Sequence, residues 1–257
     1  MKVQIYSDLH VDINNCYDPR SLLQTEKDTD LYIDAGDTGD YKATIKFYRN
    51  KFWYDKKVLF VGGNHLHYDY GSIDRNQENL KRIFTPQDSV TYLQDSEYTY
   101  KEFVILGCTL WTDFKVFNLA NYCKKQCRQF NDYKNIKFSN DIPLTPELCE
   151  TMFSISLKNL HKRLQKFHNK KVIVITHHAP SLKSCLEQYK HDPETACFAS
   201  NLEEFIKSHP NIYLWVHGHI HNTSGYQIGN TYVCCNPLGY IHYGEQTHFI
   251  DNLIIDI

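Results

Sequence analysis

Seven residues of this chain have types and spacing that could do chemistry together: Asp8, His10, Asp37, Asn64, His177, His219 and His221. Each follows a short apolar run. The run at 3–5 leads into Asp8-Leu9-His10, the run at 31–35 into Gly36-Asp37, and the run at 58–61 into Gly62-Gly63-Asn64-His65. The run at 172–175 leads into Thr176-His177-His178, and the run at 214–216 into His217-Gly218-His219-Ile220-His221. β-branched runs bounded by Gly, Asp and Asn read as buried strands. Open α/β sheets bind ligands just beyond the carboxyl ends of their strands. Five such ends in one chain point to a single polar site floored by a sheet.

The donor set defines the chemistry. Four imidazoles, two carboxylates and one amide oxygen are too many ligands for one metal ion and suit two. Imidazole favours Zn, Fe, Mn, Ni or Co over Mg or Ca, and carboxylate admits Mn readily. Two divalent ions against two carboxylates leave a positive surplus that would attract an anionic group such as phosphate. Metals about 3.5–4 Å apart also polarise a shared water and clamp an in-line displacement. His178, beside His177, reads either as a substrate contact or supporting group or as simple packing. His217 is expected to point into the fold.

The elements that position these residues follow from the surrounding pattern. Strands are expected at 2–7, 31–35 and 57–61, with helices at 41–53 and 77–84. Short strands follow at 90–93, 97–100 and 103–106, then helices near 118–130 and 146–167. The last of these starts behind Thr145-Pro146-Glu147, an N-cap with Pro at the first helical position. Its stripe of Leu148, Met152, Ile155, Leu160 and Leu164 reads as core contact. A strand at 171–176, a helix at 199–207 and strands at 212–216, 224–228, 231–235 and 253–257 complete the chain. Strand-helix units at both ends around a β-meander imply two mixed sheets packed face to face with helices outside.

Composition excludes other classes. A chain of 257 residues with 42% hydrophobic and 23% charged residues is ordinary for a globular protein. The formal net charge of −2 recruits no polyanion, so there is no strong nucleic-acid signal. The nine cysteines show no C-x-x-C pair, so neither a zinc ribbon nor a redox motif is indicated. Cys123 and Cys127 read as buried small hydrophobes. Unpaired thiols fit a reducing compartment, and no apolar run reaches membrane-spanning length, so a cytoplasmic location is expected.

The order D-x-H, G-D, G-N-H, H, G-H-x-H over residues 8 to 221 resembles the calcineurin-like metallophosphoesterase superfamily. Residues 107–114, 176–181, 199–203 and 236–240 look like segments of a bacterial and phage subgroup of it. The resemblance implies one domain over residues 1–257, a four-layer α/β/β/α sandwich and two divalent ions, with Mn foremost and Fe, Zn, Ni or Co as alternatives. It implies that Asp8, His10 and His221 hold the first ion, that Asn64, His177 and His219 hold the second, and that Asp37 bridges them. His65 would be the proton donor near the leaving oxygen. Asp40, at the G-D-x-x-D spacing, would orient it. Leu66 stands where the family often carries Glu. Tyr41 replaces the Arg of the protein phosphatase branch, so that branch is disfavoured.

The implied activity is hydrolysis of a small phosphodiester or phosphomonoester, such as a nucleotide or cyclic nucleotide, by metal-bound hydroxide. Aromatic residues expected to flank the site, Tyr68, Trp111, Phe114 and Phe198 among them, could stack on a base. A single-strand nuclease or nucleic-acid end-processing enzyme stays open as an alternative, and so does a catalytically dead interaction scaffold. The sequence leaves the oligomeric state undefined.

Overall fold

The computed structural model describes residues 1–68, 70–245 and 248–257. The chain runs β1 (Lys2–Tyr6), β2 (Leu31–Asp34), α1 (Tyr41–Tyr48), β3 (Val58–Phe60), α2 (Ile73–Ile83), β4 (Val90–Tyr92), β5 (Ser96–Tyr100) and β6 (Phe103–Cys108). It continues through α3 (Ala120–Cys127), α4 (Asp132–Asn135), β7 (Lys137–Ser139), β8 (Ile142–Pro143), α5 (Pro146–Lys166) and β9 (Lys171–Thr176). It ends with α6 (Glu203–Lys207), β10 (Ile212–His217), β11 (Ser224–Ile228), β12 (Thr231–Cys235) and β13 (Ile254–Asp256).

Two mixed sheets form the centre. One has the order β13-β1-β2-β3-β4 and the other β11-β12-β10-β9-β6-β5. Their inner strands are parallel: β1 with β2, β2 with β3, β6 with β9 and β9 with β10. Parallel pairing sends the carboxyl ends of neighbouring strands to the same edge, so the five polar strand ends have to converge.

The layering follows from the two-residue alternation of strands. Val3, Ile5, Ile33 and Leu59 of the first sheet meet Phe103, Ile105, Ile173 and Leu214 of the second in one buried cluster. The opposite face of the first sheet, with Tyr6, Tyr32 and Phe60, packs on Phe47, Trp53 and Leu80. The opposite face of the second, with Val104, Val174 and Trp215, packs on Cys123, Phe153, Leu160 and Ile206. Helices therefore cover the outside of each sheet, in the four layers expected. No helix among the described residues is long and apolar enough to cross a membrane.

Several boundaries differ from the sequence pattern, each for a local reason. The helix expected over 41–53 stops at Tyr48, and after Asn50 the chain re-enters a separate 3-10 turn, Lys51–Trp53. The Asn50 side chain accepts from the Phe52 amide and so starts the new turn. Helix α2 starts at Ile73 behind Ser72, four residues earlier than the apolar pattern indicates, because its first turn carries polar residues. Residues 199–202 stay outside the helix, with Ala199 bridging Ala179, and only Glu203–Lys207 coils.

Cys123 and Cys127 are both buried, as read from the sequence, and the reading is corrected only in the pairing of Cys127. Cys123 is buried and free, but the sulfurs of Cys127 and Cys197 are bonded, with Cα atoms 6.3 Å apart. Seventy residues separate the two in sequence, so no spacing rule could pair them. The other seven cysteines, Cys16, Cys108, Cys123, Cys149, Cys185, Cys234 and Cys235, are free.

Glycine packing at the strand ends sets one test. Gly63 lies so close to Asp37 that a methyl group there would run into the Asp37 carboxylate and its backbone amide. Gly63→Ala should lower stability by about 1–3 kcal/mol through overpacking. It should also displace Asp37, so that divalent-metal affinity falls with it. Urea unfolding and a metal titration check both, and an unchanged metal affinity would refute the displacement.

Candidate metal centre

The strand ends do converge. Among the described residues, three groups place their donor atoms within 4.8 Å of one another: Asp8, His10 and His221; Asp37, His177 and His219; and His10, Asp37 and His65. Asn64 joins the second, with Oδ1 3.0 Å from His177 Nε2. All seven residues read from the sequence as ligands thus lie in one cluster, with Asp37 shared between groups.

Backbone geometry shows what that convergence requires. Asp8, His10, Asp37 and His219 have φ of 52°, 42°, 54° and 66°. Non-glycine residues adopt the left-handed region rarely, and such strain concentrates at functional sites. Here the chain leaves each strand and turns back at once to aim a side chain along the sheet edge. Asp34, at the end of β2, secures one of these turns. Its buried carboxyl accepts from the Gly36 amide, the Thr38 hydroxyl and the Tyr48 hydroxyl. Burial pushes its pKa up to about 7 despite those donors.

The imidazoles are oriented from behind. His177 Nδ1 donates to the Ala35 carbonyl at 2.9 Å, across from one sheet to the other. His221 Nδ1 donates to Glu245 Oε2 at 2.6 Å. Each bond fixes the tautomer and turns the Nε2 atom into the cluster, the arrangement that second-shell partners impose on metal-binding histidines. His177 Nε2 then lies 3.2 Å from Asp37 Oδ2, and His221 Nε2 lies 3.5 Å from Asp8 Oδ1 and 3.2 Å from His10 Nε2.

Lone pairs aimed at carboxylate oxygens repel unless a cation lies between them. That is the physical reason the donor set fits metal ions. Without metal, protons take that place. Burial opposes charging His177, but the Asp37 and Asp8 carboxylates outweigh it and lift its pKa to about 9. Burial likewise opposes His221, and the bonds to Asp8 and Glu245 raise it to about 10. Asp37 is held well below the carboxylate range, because the imidazoles of His177, His65 and His10 overcome its desolvation. His10 goes the other way, down to about 3, chiefly through burial and then through the charge of His65. Metal ions binding here would displace protons.

His65 sits on the rim of the cluster. Its backbone amide donates to Asp37 Oδ1 at 3.0 Å, its ring stacks on Tyr68 at 4.2 Å, and its Nε2 is 2.8 Å from the Tyr240 hydroxyl. A cavity of about 790 Å³ opens in front, lined by Asn64, His65, Tyr68, Asp132, Phe198 and Tyr240 among others. No lysine or arginine is found among the described residues lining it.

Two assignments change. Asp40 does not serve His65: its carboxylate accepts from the Ala43 amide at 2.7 Å and caps helix α1. A residue three positions after Asp37 lies where the chain turns into that helix, so its side chain satisfies the helix's first amides instead. His178 is buried and absent from the described cavity lining, which supports the packing alternative of its reading over a substrate contact. It packs between Trp111 at 5.2 Å and His219 at 4.3 Å, and burial lowers its pKa to about 3. His217 is buried as expected, with Nε2 2.7 Å from the Ser184 hydroxyl.

Sequence reading missed three polar groups. Asp132 Oδ1 accepts from Asn64 Nδ2 at 2.9 Å and from the Tyr68 hydroxyl. That bond turns the Asn64 amide so that its oxygen faces His177. Glu245 and Tyr240 come from the segment after β12. Only the likeness of residues 236–240 to a known segment hinted at the last of these, and nothing in the spacing singled out the other two.

The comparisons agree with this geometry. The sequence model of the calcineurin-like phosphoesterase family matches residues 1–223. An uncharacterized protein of Acanthamoeba polyphaga mimivirus is 30% identical over 281 residues, covering 97% of each chain. Among solved structures, a phosphopantetheinyl hydrolase from Mycobacterium tuberculosis superposes with a TM-score of 0.70 at 14% identity, over 99% of this chain and 95% of the other. A dimetal phosphatase from Danio rerio gives 0.55 at 14% identity, over 94% and 88%. This chain belongs to the calcineurin-like phosphoesterase family. It is a metal-dependent phosphoric ester hydrolase.

The Asp132–Asn64 bond sets the next test. Asp132→Ala should free the Asn64 amide and weaken the tighter-held share of metal binding at that group by about 10–100-fold, as loss of such supports does. Asp40→Ala should cost about 1 kcal/mol through the lost helix cap and leave metal affinity unchanged. Metal titration and thermal melts separate the two. Equal metal affinity in Asp132→Ala and the wild type would show that the bond does not position Asn64.

Proposed function

We propose that the protein hydrolyses a small phosphodiester or phosphomonoester at a pair of divalent transition-metal ions, manganese foremost. In this reading Asp8, His10 and His221 hold one ion, Asn64, His177 and His219 hold the other, and Asp37 bridges them. The observation that carries it is the sharing of residues between donor groups within one cluster. When bound, the pair would supply the positive charge that holds the phosphate and the means to activate a water.

The protein's own groups do the rest. His65 belongs geometrically to one donor group with His10 and Asp37, but its Nε2 faces Tyr240 and its ring forms part of the cavity wall. We read it as the proton donor to the leaving oxygen and not as a ligand. The ester's organic part would lie in the cavity against Tyr68 and Phe198, where a base or another flat group can stack. Duplex or long single-stranded nucleic acid is held mainly by lysine and arginine on its phosphates. A cavity without either among its described lining residues favours a small ester, a nucleotide or cyclic nucleotide included, over an oligonucleotide.

Two measurements test this reading. Elemental analysis at saturating Mn²⁺ should find two ions per chain in the wild type and a loss at both sites in Asp37→Asn. One ion or none, with full activity, would overturn the dinuclear reading. His65→Ala should keep both ions and lose about 10²–10⁴ in rate on an ester with a poor leaving group. It should lose far less on a nitrophenyl ester, whose leaving oxygen needs little protonation. Loss of an ion in this variant would make His65 a ligand.

A further inference from the structure

His65 is held by a residue outside the stretch that the family model matches, which ends at residue 223. After β12 the chain crosses the mouth of the metal cluster. The Gly239 amide donates to the Asp8 carbonyl at 3.0 Å, and the Ile241 amide donates to Asn14 Oδ1 at 3.0 Å. Asn14 Nδ2 in turn donates to the carbonyls of Leu9 and Gly239, both at 2.9 Å. These bonds tie residues 239–241 to the loop that carries Asp8 and His10. They leave the Tyr240 ring against three imidazoles, with centroids 4.5 Å from His10, 4.8 Å from His221 and 5.9 Å from His65.

We propose that Tyr240 is a positioning residue for His65, its hydroxyl fixing the ring and its tautomer for proton donation to the leaving oxygen. This rests on the reading of His65 given above. The ring of His65 has a stacking partner in Tyr68 on one face and the edge of His10 at 4.6 Å. Stacking sets the plane of a ring but not its rotation within that plane. A hydrogen bond at Nε2 sets the rotation, and the Tyr240 hydroxyl supplies it at 2.8 Å. The carboxylate that does this for catalytic histidines elsewhere is replaced here by a phenol, because the nearby candidate, Asp40, is spent on helix α1. The phenol oxygen accepts from Nε2–H, so Nε2 keeps its hydrogen throughout and the proton handed to the leaving oxygen comes from Nδ1.

Tyr240→Phe keeps the ring packing and removes only the hydroxyl. With paired 4-nitrophenyl and phenyl esters of the same phosphate, kcat on the phenyl ester should fall about tenfold, the worth of one ordinary hydrogen bond. The 4-nitrophenyl ester should be nearly unaffected, KM unchanged and two ions retained. In a His65→Ala background the same substitution should cost nothing further. Nitrogen-15 NMR of the metal-free protein gives an independent readout: Tyr240→Phe should shift the ring nitrogens of His65 and leave those of His177 in place. Equal slowing of both esters, an additive loss in the His65→Ala background, or unmoved His65 signals would each overturn the role of Tyr240. A wild type that turns over neither ester with both ions bound would instead overturn the small-ester reading, and the role of Tyr240 that rests on it.

Discussion

The buried carboxylate of Asp37 is the constraint around which the strand ends are arranged. Its side chain is about 1% exposed, and a bare charge there would be costly. Everything near it supplies compensation. The His65 amide donates to Oδ1, His177 and His10 face Oδ2, and Gly36 and Gly63 make room for the close approach. Gly36 has φ of +99°, and a side chain there would strike His177. Asp34 holds the turn that presents Asp37, and the Tyr48 hydroxyl ties Asp34 to helix α1. The first sheet therefore delivers the shared carboxylate, and the second delivers His177, His219 and His221 to meet it.

That division explains why the cross-sheet bonds matter more than their number suggests. His177 Nδ1 to the Ala35 carbonyl joins the ends of β9 and β2. The Thr109 hydroxyl donates to the Gly62 carbonyl at 2.7 Å and joins the ends of β6 and β3. The His219 amide donates to both oxygens of Asp8, at 3.0 and 3.1 Å. The apolar layer between the sheets sets their separation but is not directional. These polar contacts fix how the two edges register, and so the spacing of the donor atoms.

Much of this was legible in the sequence because the donor residues sit at the simplest kind of landmark, the polar end of an apolar run. β1, β9, β11 and β12 coincide with their runs to within a residue, and parallel pairing of β1 with β2 and of β9 with β6 and β10 brings the ends of those strands to one edge. What stayed hidden depends on contacts between distant segments. Asp132 lies in a polar stretch between α3 and β7 with no period to mark it, yet it reaches Asn64. Cys127 and Cys197 meet because α3 packs on the 3-10 turn Pro193–Cys197, which no spacing reveals. Asp40 misled for the opposite reason. Its spacing after Asp37 matched a catalytic pattern, but a carboxylate at a helix start has a nearer set of donors, and the local bond prevails.

The segment after β12 shows how the same metal cluster can be given a different surround. The matched family stretch supplies the cluster and ends before this segment begins. The segment then contributes Tyr240 to His65 and Glu245 to His221, two polar contacts on two different sides of the cluster, from residues five apart. The Tyr240 amide donates to the same Glu245 oxygen that accepts from His221, at 3.2 Å. One short turn therefore couples the orientation of His221 to that of His65. A change in this turn would be felt at both groups together. The donor cluster thus rests on the two sheets, and the hydrogen bonds to the side chains of His65 and His221 rest on a loop that sequence pattern alone leaves unmarked.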